Sequence, residues 1–83
     1  MNLADTVSEL ESELETLADD TSDIARMRRI TINNGLADAL YGLSDILKRQ
    51  GRNAEADEAH SRANAFWGRV VEEASDLKRD EIT

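Results

Sequence analysis

The chain has no cysteine and no proline, three aromatic side chains and one histidine in 83 residues. Without thiols it has no disulfides to offset the small core that a chain of this length can build. A lone His60 without a cysteine leaves no zinc ligand set, and no metal site or cofactor is expected. No stretch approaches the roughly 18 consecutive apolar residues a membrane span needs, and the start shows no basic segment followed by an apolar one. A cytoplasmic protein without membrane contact is the expectation. Gly-rich phosphate loops, a catalytic cysteine and a paired-carboxylate pocket are also missing, so an enzyme is not expected.

Apolar residues are few, and 11 of them are alanine. A core this lean points to self-association or a bound partner as the remaining source of stability. The formal charge is -8, and it is unevenly placed. Residues 1–23 hold eight acidic residues and no basic one, whereas residues 24–83 hold ten of each sign. The imbalance therefore belongs entirely to the first segment.

That segment is periodic. Leu3, Val7, Leu10, Leu14 and Leu17 recur at steps of four and three, as the seam of an amphipathic helix requires. An ordered anionic helix over 3–18 follows. Asp19-Asp20-Thr21-Ser22-Asp23 then supplies short polar side chains suited to a break and a new N-cap. The cluster is no calcium loop, because Ile24 and Ile30 stand where the loop's Gly and bidentate Glu belong.

A second helix is expected over 23–50 and a third over 53–79, joined at Gly51, a residue suited to the left-handed conformation that ends helices. If the two helices fold back on each other, facing residues have numbers that add to a constant near 102. Leu47 with Ala56, Leu43 with Ala59, Leu40 with Ala63, Leu36 with Phe66, Ile32 with Val70, Met27 with Ala74 and Ile24 with Leu77 satisfy this. Gly35 and Gly68 then fall almost opposite each other, where they let backbones approach or make room for Trp67. The fold class is all-α: a short acidic helix packed on a long antiparallel hairpin, a three-helix bundle in one domain over 1–83.

At 1.5 Å per residue the first helix spans roughly 24 Å and each hairpin arm roughly 40 Å. Folded back, the first helix covers only the open half of the hairpin. The tip near the turn is left with Ala39, Tyr41, Leu43 and Ile46 as an apolar docking surface for a second copy, most simply in a homodimer, or for another protein.

Residues 37–68 resemble a single tetratricopeptide repeat, a hairpin of about 34 residues used in protein recognition. With Gly51 on the turn glycine, Leu40, Leu43, Ala56 and Ala63 occupy the packed apolar or small positions, and Ser44 the small one. The stretch LKRQGRNAEADEAHSRA, residues 47–63, is similar to the turn and second helix of such repeats. Leu47 and His60 replace aromatic residues of the pattern, and Gly68 stands where its proline is usual. The resemblance implies hairpin geometry and peptide or protein partners.

Two functions of different class follow. In one, the chain is a protein–protein interaction module acting as adaptor, assembly or inhibitory protein, and its acidic helix solvates the outer face. In the other, Glu9, Glu11, Glu13 and Glu15 are the contact, mimicking a nucleic-acid backbone and blocking a basic nucleic-acid-binding protein such as a defence nuclease. Direct nucleic-acid binding is not expected of a net-acidic chain. Arg26, Arg28 and Arg29 form the basic cluster, placed to pair with the acidic helix. His60 and Ser61 are adjacent on a helix and diverge, so they form no nucleophile–base pair.

Overall fold

A computed structural model describes the backbone of residues 3–82 and the side chains of 3–77. Three helices follow in order: α1 (Leu3–Thr16), α2 (Asp23–Arg49) and α3 (Asn53–Ile82). No strand occurs among the described residues. α2 packs against α3, and α1 packs against α2, giving an elongated body with Cα extents of 50 × 22 × 15 Å.

The breaks have local causes. α1 stops at Thr16, and tight backbone bonds from Leu17 N to Leu14 O and from Ala18 N to Glu15 O close its last turn. Asp20 Oδ1 accepts from Ser22 N at 2.9 Å. Ser22 is the N-cap of α2, its Oγ accepting from Ala25 N at 3.2 Å. Gly51 sits at φ 77, the left-handed conformation that ends α2 and lets Arg52 N reach the Leu47 carbonyl at 2.9 Å.

The hairpin register is seen in the core. Leu47, Ala56, Ala59, Leu40, Ala63, Leu36, Ile32 and Val70 are all buried, and Leu43 and Phe66 are half-buried beside them. Ser44 Oγ, also buried, donates to the Ala56 carbonyl at 2.8 Å and ties the arms near the turn.

The last two expected layers differ. Ile24 and Met27 are exposed, and Ala25 is the buried residue at the open end of α2. Leu36 lies nine residues from Met27, which is two and a half helical turns, so the two side chains leave α2 on opposite sides. Eleven residues separate Ala25 from Leu36, close to three whole turns, and Ala25 faces inward.

α1 runs antiparallel to α2. A Cβ added at Gly35 would lie 3.3 Å from Leu10 Cδ1, and one at Gly42 would lie 3.4 Å from Leu3 Cδ1. Two glycines one heptad apart thus form the shallow track on which the leucine seam of α1 sits. Gly35 does not face Gly68 as the pair register suggests: its open side is turned to α1, while a Cβ at Gly68 would meet nothing within 4 Å.

Candidate functional site

α2 is the central helix, and α1 decides which of its sides remains available. The seam residues Leu3, Leu10, Leu14 and Leu17 are half-buried and Val7 is buried in the same cluster as Ala39 and Leu40. Because Leu3 reaches Gly42, α1 extends past the midpoint of α2 toward the tip.

This changes the tip. Ala39 is buried and offers no surface. Tyr41 is half-buried: its hydroxyl donates to Asn64 Oδ1, and its ring meets His60 edge-on at 5.2 Å between centroids. Leu43 is half-buried beside Leu40 and Leu47 at the mouth of a small cleft toward α3. Of the four tip residues, Ile46 alone is exposed, at 43%.

The acidic helix is partly neutralised from within. Glu13 pairs with Arg28 at 2.8 Å, and Glu11 reaches across to Arg62 of α3. Glu9 and Glu15 are exposed on α1. The four glutamates therefore do not present one uniform anionic face. Arg29, by contrast, works at the junction of all three helices. Its Nε donates to Glu73 Oε1 at 2.8 Å, and its Nη1 donates to the carbonyls of Leu17 and Asp20 at 2.8 and 2.6 Å. The backbone and side chain of Ser22 hydrogen-bond to the Asp20 carboxylate and, with the nearby Arg29 charge, hold it below the usual aspartate range.

The side of the hairpin away from α1 is open. The contacts of Tyr41 with His60 and Asn64 mark where the two arms meet on that side. Stepping back by sevens along each arm keeps the same face, because seven residues are almost two turns. α2 then contributes Met27 and Asn34, and α3 contributes Trp67, Ala74 and Val71. Met27, Trp67 and Val71 are 61%, 48% and 51% exposed. Met27, Asn34, Trp67, Val71 and Ala74 are all uncharged residue types, although Lys48, Asp57 and Lys78 continue the same rows in a chain that is 34% charged. The periodicity of α3 alone shows a broad apolar surface at Phe66, Trp67, Val70 and Val71. Its division into a buried half and an open half depends on where α1 lies.

The other notable space lies between α1 and α3 over α2. It is a cleft of about 350 Å³ lined by Leu14, Ala18, Arg29, Asn33, Arg69 and Glu73 among others. Asn33, a polar residue absent from the expected facing pairs, is buried at 3% exposure. Its position three residues before Leu36 and seven before Leu40 is the signal that places it inward.

No family model matches the chain, and neither a curated protein nor a solved structure matches it. No described helix is long and apolar enough to cross a membrane.

Proposed function

We propose that the chain is a protein–protein interaction module, an adaptor, assembly or inhibitory protein rather than an enzyme, whose contact face is the open side of the α2–α3 hairpin. The observation that carries this reading is the gathering of Met27, Trp67 and Val71 on the side that α1 leaves uncovered. Exposed large apolar residues collected on one face have the composition of an interface centre.

The occupant is a second copy. A chain with a formal charge of -8 repels its own kind wherever two acidic surfaces meet. An isologous two-fold contact meets least of that repulsion where it is centred on uncharged residues, and Met27, Trp67 and Val71 supply such a centre. Within extents of 50 × 22 Å there is room for the roughly 800 Å² per partner of a standard interface. Ile46 at the tip remains as a separate apolar contact for a further protein. The anionic-mimic reading carries less weight, since Glu11 and Glu13 are engaged with arginines of the same chain.

Sedimentation equilibrium from micromolar to millimolar concentration tests the proposal. Dimers that persist at high salt, become monomers with Val71→Glu or Trp67→Glu, and survive Ile46→Asp and the Glu9, Glu15→Lys double variant are expected. A monomer throughout the range overturns it. So does a dimer that Val71→Glu and Trp67→Glu leave intact.

A further inference from the structure

The cleft between α1 and α3 contains two polar atoms that the fold buries without using. Among the described residues, Asn33 Oδ1 and Glu73 Oε2 are buried side-chain oxygens with no hydrogen-bond partner. Both residues line the cleft. Native structures leave few such atoms, and each calls for a physical explanation. Glu73 uses its other oxygen on Arg29, so its carboxylate is held in place with one acceptor to spare.

We infer that this cleft is a binding site for a cationic N–H donor, a guanidinium or primary ammonium group. Three observations select that chemistry. Both open atoms are acceptors when assigned as oxygens, so the missing group is a donor. The ionised groups around the cleft are Arg29, Arg69, Glu72, Glu73 and Asp76, two cations against three carboxylates, so a positive guest is favoured over an anion. A metal ion is a poorer match, because no group of three or more metal-ligating side chains comes together among the described residues.

The geometry supports entry. Leu14 and Ala18 give the cleft an apolar wall on the α1 side, suited to the methylenes that carry such a cation. The Glu73 side chain is 24% exposed, so its carboxylate stands nearer the opening of the cleft, while Asn33 is 3% exposed and lies deeper. Asn33 and Glu73 stand on neighbouring helices and line one cleft, a placement suited to a multi-donor guest such as a guanidinium fork or an ammonium. The site lies on the α1 side of α2 and stands apart from the dimer proposed above.

Amide-resolved NMR on the full chain tests the site, with methylguanidinium and propylammonium as probes and tetramethylammonium as a cation without N–H groups. Saturable shifts at the Asn33 side-chain amide and around Glu73 and Leu14 are expected, at the millimolar affinities open to such small ligands. Asn33→Leu should weaken binding by about tenfold, the loss of one charge-assisted hydrogen bond. Arg69→Gln removes a neighbouring positive charge and should tighten it. An acetylated arginine amide that binds as well as methylguanidinium assigns the guest to a protein side chain, and its exclusion assigns it to a free small cation. The site is overturned if no saturable shifts appear, if tetramethylammonium produces the same ones, or if Asn33→Leu, still folded by circular dichroism, leaves them unchanged.

Discussion

The Arg29 guanidinium donates to the Leu17 carbonyl at 2.8 Å, so a side chain of α2 caps the end of α1. The last turn of α1 has no basic residue of its own to meet its carbonyls and its dipole. Arg29 supplies that charge from the next helix and anchors itself on Glu73 of α3.

Arg29→Ala should therefore cost about 2 kcal/mol in chemical denaturation, since it removes a largely buried cation with three partners. Hydrogen exchange should show α1 loosening before the hairpin. Arg29→Lys should recover only part of the loss, because one ammonium cannot reproduce the forked geometry. Equal loss of protection in all three helices would show that Arg29 is not specific to the α1 junction.

The glycines separate two kinds of position. Gly68 lies inside α3 with open space where a Cβ would go, so Gly68→Ala should stabilise by about 0.5–1 kcal/mol through helix propensity alone. Gly35→Ala gains the same propensity but presses on Leu10 at 3.3 Å, and its thermal shift should be smaller. Gly51→Ala, at φ 77, should destabilise by about 1 kcal/mol.

Asp20 links stability to acid. Its folded carboxyl titrates below the usual range, held there by the Ser22 hydrogen bonds first and Arg29 after them. A lowered folded value means stability that is present above the unfolded value of about 3.9 and lost as pH falls through the folded one. Asp20→Asn should flatten that part of the acid-denaturation curve and leave the neutral-pH spectrum unchanged.

The exposed ion pairs should matter little. Glu11→Gln and Glu13→Gln should each cost less than about 1 kcal/mol, with α1 still seated on its leucine seam. Thermal melts at low and high salt measure this. A loss comparable with Arg29→Ala would mean that charge, and not the seam, holds α1 in place.

Trp67 is the single tryptophan and reports on the open face. Its emission should shift to the blue as concentration rises through the dimer transition, with no change in helicity. Emission that is independent of concentration while sedimentation shows dimers would place the contact elsewhere.

Much of the fold was legible along the chain. Period decides which face of a helix is apolar, and the spacing from Leu36 to Leu47 and from Ala56 to Val70 sets the hairpin register. The open end misled because Ile24 and Met27 are apolar and their pairing numbers fit, yet Met27 lies half a turn off the buried line. Gly35 misled in the same way, since a glycine shows no direction of its own in a sequence.

By itself the sequence determined three helices, their breaks at Ser22 and Gly51, and the antiparallel register of the two long arms, because these depend on local capping and on the 3.6-residue period. Only the tertiary structure decided the side of the hairpin on which α1 lies. Two packed helices offer two grooves, and periodicity does not distinguish them. The Gly35–Gly42 track and the reach of Arg29 select one groove, and that selection buries Ala39, leaves Met27, Trp67 and Val71 open, and encloses Asn33 beneath the cleft.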